Sequence, residues 1–176
     1  QLQHQGEVDM LEETYLKIIS AKTAELFAAS TKVGAILSDM KNKEKEALEF
    51  YGRNLGLTFQ IADDTLDYNS ELKLFGKKIG QDFYEGKITL PIILLFQKAN
   101  NQEKEKLKNI FSKDVRDKDD LHYSLSLIKR YDVIKACYQK AEHYINLASN
   151  ALTLFNDSEE KRILENLTSF SLTRNF

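Results

Sequence analysis

Three carboxylates, Asp63, Asp64 and Asp67, stand in the segment GLTFQIADDTLDY, whose other residues are mostly apolar. On an isolated helix, like charges four residues apart cost roughly 0.2–0.5 kcal/mol, so a positive partner is expected to offset the pair Asp63 and Asp67. Mg²⁺ suits the role, because it takes oxygen ligands and is usually held by one or two carboxylates together with substrate phosphates and water. The alternative is an acidic patch that faces water. Downstream, FGKKIGQDFYEGKITLP combines Gly76, Gly80 and Gly86 with Lys77, Lys78 and Lys87. Such a stretch can turn tightly and offer ammonium groups to an anion; read more simply, it is a basic surface loop. Upstream, Lys22 and Thr23 sit at the edge of, and within, an apolar stripe, where a long lysine stem can carry its charge into a cavity. Acidic metal ligands opposite several lysines suit a diphosphate whose charge must be neutralised as it departs.

The elements that must position these groups read as helices. The chain has 176 residues with seven glycines and one proline, and its apolar residues recur with a persistent 3.6-residue period, so an all-α fold is expected. One helix is expected from Leu11 to about Leu37, with Leu16, Ile19, Leu26, Phe27, Val33, Gly34 and Leu37 on its apolar face. A second runs from about Glu44 through Asp67, with Leu48, Leu55, Phe59, Ala62 and Leu66 on one face. Gln60 and the three aspartates fall in the adjoining arc. Gly52 and Gly56, near the same arc, are expected to leave the helix surface open. Thr89 and Pro91 mark the start of a helix over TLPIILLFQKA. KDVRDKDD reads as a helix end and loop, and two or three helices follow from His122 to Thr173.

Composition narrows the function classes. With 42% hydrophobic and 30% charged residues the chain reads as one globular domain. A formal charge of −2 gives no overall basic field for nucleic acid. One cysteine, Cys137, and three scattered histidines, His4, His122 and His143, argue against a disulfide framework or a zinc site. No apolar run approaches the length of a transmembrane helix, and the first residues lack the pattern of a secretory signal, so a cytoplasmic location is expected. The start at Gln1 suggests a piece of something longer.

In order and spacing, KTAELFAAS, GLTFQIADDTLDY, LFGKKIGQDFYEGKITLP and the terminal LTSFSLTRNF resemble the C-terminal half of trans-prenyl diphosphate synthases, nearest to the bacterial octaprenyl type. The resemblance is dense from Tyr15 to Phe96 and thinner beyond. It implies the C-terminal half of the isoprenoid-synthase helical bundle. It also implies a Mg²⁺-dependent, head-to-tail condensation of isopentenyl diphosphate with an allylic prenyl diphosphate. By position, Asp63, Asp64 and Asp67 would hold Mg²⁺ against the allylic diphosphate, and Lys22, Lys77 and Lys87 would contact the diphosphate. Lys22, Thr23 and Gln60 take the catalytic positions, with Thr23 and Gln60 stabilising charge as the allylic cation develops. Asp82 matches a recurrent polar position that supports its neighbours.

The resemblance also implies a gap. The family's first aspartate-rich motif, its arginine pair and its length-determining residues lie upstream of Gln1. The chain is therefore expected to form a single, partial synthase domain. It is either part of a working enzyme, as a homodimer or with a complementing N-terminal half, or a non-catalytic remnant or partner subunit with residual diphosphate and Mg²⁺ binding. Without that half, the faces carrying Leu16, Ile19, Phe27, Leu55, Phe59 and Leu66 are expected to be uncovered.

Overall fold

A computed structural model describes residues 10–69 and 79–173, and among these every regular element is helical. The elements are α1 (Glu12–Ile19), a π-helical turn (Ser20–Ala24), α2 (Glu25–Leu37), α3 (Asn42–Leu66), α4 (Gln81–Tyr84), α5 (Leu90–Lys98), α6 (Asn101–Phe111), α7 (Lys118–Arg130), α8 (Val133–Ala151), a 3₁₀ turn (Leu152–Leu154) and α9 (Glu159–Thr173). Two compact units are formed, one by Gln1–Tyr15 with Asp63–Tyr138 and the other by Leu16–Ala62 with Gln139–Phe176. No helix of the described residues is long and apolar enough to cross a membrane.

The first long helix differs from its expected form in one respect. The π turn interrupts it at Ser20–Ala24, and the Glu25 amide reaches back five residues to the Ser20 carbonyl. Buried positions accordingly run Tyr15, Ile19, Ala24, Ala28 and Ala35, with a step of five across the π turn. One extra residue rotates everything after it by about 100° relative to a regular helix. Leu26, Val33 and Leu37, expected on the apolar face, are therefore 70%, 51% and 82% exposed, and small alanines take the inner face instead.

Within the unit built on Leu16–Ala62, Ala24 lets α3 come close. A Cβ on Gly56 would lie 2.6 Å from Ala24 Cα, and one on Gly52 would lie 2.3 Å from Thr31 Oγ1 and 2.5 Å from the Phe27 carbonyl oxygen. The two glycines thus mark the points of closest approach, not the open surface expected of them. The Thr31 hydroxyl donates to the Leu48 carbonyl at 2.6 Å across this contact, and Phe27 and Phe59 pack with ring centroids 5.6 Å apart. Tyr51 and Leu55 form a core with Ala148 and Leu152, and the Tyr51 hydroxyl donates to the Leu164 carbonyl at 2.8 Å. From Tyr51 onward α3 is buried on nearly every side instead of along one stripe. Its interior polar side chains return to the backbone: Asn54 donates to Phe50 and Thr58 to Asn54.

In the other unit α5 is the apolar centre, buried from Leu90 through Leu95. Thr89 is its N-cap, as the Thr-Leu-Pro sequence suggests, yet its hydroxyl makes no capping bond; the Thr89 carbonyl instead accepts the amides of Ile92 and Ile93. Helices α6 and α7 each begin with a reciprocal capping box, Asn100 with Glu103 and Asp117 with Asp120. KDVRDKDD therefore holds a short loop, and its last three residues already belong to α7.

Exposed apolar residues are not those expected. Ile19 and Leu55 are buried, and Leu16, Phe27, Phe59 and Leu66 are half-buried. Uncovered residues include Leu26, Val33, Ile36 and Leu37 on α2, and Ile163, Leu167 and Phe170 at helical spacing on α9. Burial of such surface contributes about 25 cal/mol per Å². The purified chain is predicted to self-associate or to bind a hydrophobic dye; a monodisperse, dye-free monomer in ultracentrifugation contradicts this. A second expectation follows from the helix crossing. Gly56→Ala should destabilise the chain by about 1–3 kcal/mol, the range for forcing a methyl into a packed contact, as measured by chemical denaturation.

Candidate active site

The sequence-derived candidates fall into two groups. In the unit containing Leu16–Ala62, the π turn carries Lys22 and Thr23. Lys22 is exposed and Thr23 is half-buried. The Thr23 hydroxyl donates to Gln60 Oε1 at 2.9 Å. π turns inside α-helices frequently occur at functional sites, and here the extra residue coincides with the Lys-Thr pair.

The aspartates occupy the end of α3. Asp64 and Asp67 are only 3% and 2% exposed, so they do not form an acidic patch facing water; Asp63 is half-buried and the most accessible of the three. A buried carboxylate requires hydrogen-bond donors. Asp64 Oδ2 receives a 2.7 Å bond from the buried Tyr15 hydroxyl of α1. Burial pushes the Tyr15 phenol well above its usual range, and the adjacent Asp64 charge adds to the shift. Asp67 spreads its two oxygens over the start of α4, with Oδ1 accepting the Gln81 amide at 3.1 Å and Oδ2 the Asp82 amide at 2.8 Å. The Gly80 amide bonds to the Asp67 carbonyl at 2.9 Å, and Gly80 adopts the left-handed φ of 83° that a side chain would resist.

Asp82, on α4, links this group to Lys87. Lys87 Nζ lies 3.0 Å from Asp82 Oδ1 and 2.6 Å from Glu85 Oε2. The hydrogen bond that Lys87 donates to Glu85, above all, holds its ammonium above the usual lysine range, although partial burial opposes this. The ammonium that sequence reading assigns to a diphosphate is thus shared between two carboxylates of its own turn. Lys77 lies outside the described residues.

Among the described residues no group of three or more histidine, cysteine, aspartate or glutamate side chains converges to hold a metal ion. Asp64 and Asp67 lean instead on Tyr15 and on the amides of α4. The donor chemistry still fits Mg²⁺, which needs only one or two carboxylates when phosphates and water complete its shell.

Sequence reasoning missed Tyr15, Glu85 and Arg116. Arg116, in KDVRDKDD, is buried, and its Nε donates to the Phe83 carbonyl at 2.8 Å. A tyrosine four residues before a buried isoleucine looks like ordinary core, and an arginine among aspartates looks like solvated surface. Neither carries a local signal of its distant partner.

Residues 1–128 match the polyprenyl synthetase family. The chain belongs to that family. It is 34% identical over 167 residues to a short chain isoprenyl diphosphate synthase of Methanothermobacter thermautotrophicus, covering 95% of this chain and 51% of that protein. It is 30% identical over 174 residues to the octaprenyl diphosphate synthase of Escherichia coli, covering 99% of this chain and 54% of that one. Its fold superposes on a decaprenyl diphosphate synthase from Rhodobacter capsulatus with a TM-score of 0.93 at 32% identity, over 100% of this chain and 54% of that chain. The TM-score is 0.92 at 36% identity for a polyprenyl synthase from Caulobacter crescentus complexed with calcium and isoprenyl diphosphate, again over 100% and 54%. The chain thus spans about half the length of the polyprenyl synthetases it matches.

The Tyr15 bond yields a direct test. Tyr15→Phe keeps the ring and removes only the donor to Asp64, so it should destabilise the fold by about 1.5–3 kcal/mol, the value of a hydrogen bond to a charged group. Thermal or chemical denaturation at neutral pH measures this.

Proposed function

We propose that this chain is the C-terminal, partial synthase domain of a cytoplasmic prenyl diphosphate synthase that condenses isopentenyl diphosphate with an allylic prenyl diphosphate in a Mg²⁺-dependent reaction. One observation carries the reading: Lys22, Thr23, Gln60, Asp63, Asp64, Asp67, Lys77 and Lys87 all lie within the stretch that matches the family. In this reading Asp63, the most accessible motif carboxylate, is the first candidate to ligate the ion, with Asp64 and Asp67 contributing charge from fixed positions. Bound there, Mg²⁺ supplies charge neutralisation to the departing diphosphate. Lys22 is free to swing toward an anion on its long stem, while Lys87 would exchange its carboxylate partners for phosphate oxygens. The Thr23 bond fixes the Gln60 carboxamide, whose dipole can face positive charge developing on the allylic carbon. The reaction needs no protein nucleophile. The full activity is assigned to the assembled enzyme, either a homodimer or this chain with a complementing N-terminal half.

A second reading, a non-catalytic remnant or partner subunit, is supported by the pairing of the Lys87 ammonium with Asp82 and Glu85 of its own turn. Labelled isopentenyl diphosphate, an allylic primer and Mg²⁺, incubated with the chain with and without a polypeptide supplying the rest of a synthase, separate the two. The enzyme reading predicts elongation in the complemented mixture and a loss of about 100-fold or more on Asp63→Ala, as when one partner of a developing charge is deleted. No elongation under any combination, or full activity with Asp63→Ala, supports the remnant or displaces Asp63 from its role.

A further inference from the structure

We infer that Arg116 is a positioning residue for diphosphate binding, acting through the turn that ends α4 and presents Lys87. The inference rests on the proposed role of Lys87 and extends it to a residue with no part in the sequence motif. Residues 82–87 form a closed turn, in which the Lys87 amide bonds to the Asp82 carbonyl at 2.9 Å and the Gly86 amide to the Phe83 carbonyl at 3.0 Å. Arg116 Nε takes the remaining acceptor capacity of the same Phe83 oxygen at 2.8 Å, and Nη1 donates to the Lys113 carbonyl at 2.6 Å. The guanidinium lies 5.6 Å from the centroid of Phe111, whose ring meets that of Phe83 edge to face at 5.3 Å.

Gly86 shows how closely the guanidinium fits under the turn. Its φ is +71°, and a Cβ there would fall 2.1 Å from Arg116 Nη2. Only glycine meets both conditions. A planar fork is also required, because two carbonyls at fixed directions are engaged from one buried group, and a lysine ammonium has neither the reach nor the geometry. Opposite charges therefore bracket α4, with the Asp67 carboxylate on its first amides and the Arg116 guanidinium on a carbonyl of its last turn. Each sign matches the local backbone partial charge. Between these two clamps sits Asp82, whose carboxylate holds Lys87 at 3.0 Å. Loss of the second clamp frees the Phe83–Gly86 turn and with it the direction in which Lys87 leaves the backbone.

The experiment measures Mg²⁺-dependent binding of inorganic diphosphate to the 176-residue chain by calorimetry, with hydrogen exchange at the Gly86 and Lys87 amides as the local readout. Lys87→Gln tests the underlying reading; Arg116→Lys and Arg116→Ala test the inference. Lys87→Gln, which removes a direct charged contact, should weaken binding by roughly tenfold or more, and Arg116→Lys by roughly tenfold, as when an outer support of a binding group is removed. Exchange at Gly86 and Lys87 should quicken in the Arg116 variants while α6 keeps its protection. Millimolar guanidinium ion should restore binding to Arg116→Ala and leave Lys87→Gln unrescued; where Arg116→Ala does not fold, Arg116→Lys carries the comparison. Unchanged binding in Lys87→Gln, or no binding by the unaltered chain, overturns the role of Lys87 and the inference with it. Weakened binding in Lys87→Gln with unaltered binding in a folded Arg116→Lys overturns the inference alone.

Discussion

Two carboxylates buried at one end of a helix impose much of the local architecture. Asp64 and Asp67 are within a few per cent of complete burial, and an ionised carboxylate in that setting is tolerable only where donors face it. The sequence places no lysine or arginine on α3 within a turn of them. Donors must come from elsewhere, and they do: a phenol from α1 and two backbone amides from the start of α4. Tyr15 is thereby tied to a residue 49 positions away. The same need places α4, because a short helix with its first amides turned toward Asp67 has little choice of orientation. The acidic motif is at once a candidate binding site and a folding constraint.

A second constraint is steric and belongs to the unit built on Leu16–Ala62. Thr23 reaches Gln60 because the backbone of the π turn lies against α3, and it can do so only where α3 lacks side chains at Gly52 and Gly56. The π turn in turn decides which residues of α2 face inward, since its extra residue leaves Ala28 and Ala35 at buried positions and turns Leu26, Val33 and Leu37 away. Two glycines and one additional residue per turn thus bring a hydroxyl and a carboxamide within 2.9 Å. Side chains of ordinary size at either glycine would separate them.

These two constraints explain what could be read from the sequence and what could not. Helix content and type were legible because seven glycines, one proline and a steady apolar period leave few alternatives. α3, α5 and the start at Thr89 lie close to their expected places for that reason. The π turn was not legible: a period of 3.6 can be continued through SAKTA without conflict, so the stripe from Leu11 to Leu37 looked unbroken. Gly52 and Gly56 could be located but not interpreted, because openness and close approach leave the same mark in a sequence. The Thr23, Gln60 and aspartate positions stood out by residue type and spacing. Tyr15 and Arg116 did not, since their importance lies in partners 49 and 33 residues away and both residue types are common in other roles.

The electrostatics of Lys87 bear on how an anion could be selected. Its ammonium is held by Asp82 and Glu85, so a phosphate oxygen must replace at least one carboxylate to gain the charge. A weakly charged or singly charged ligand has little advantage in that exchange, because each new bond replaces one of similar strength. A diphosphate carrying a divalent ion changes the balance. It would bring several acceptors at once, and a cation bound with it would offer a displaced Asp82 or Glu85 carboxylate a new partner. If Lys87 takes such a ligand, the paired acids beside it would act as a threshold: they keep the charge from being left unpaired, and they would favour ligands that satisfy lysine and carboxylates together. Fixing Asp82 through Asp67 at one end of α4 and Arg116 at the other would keep that threshold constant, which a loop free to shed its acids could not do.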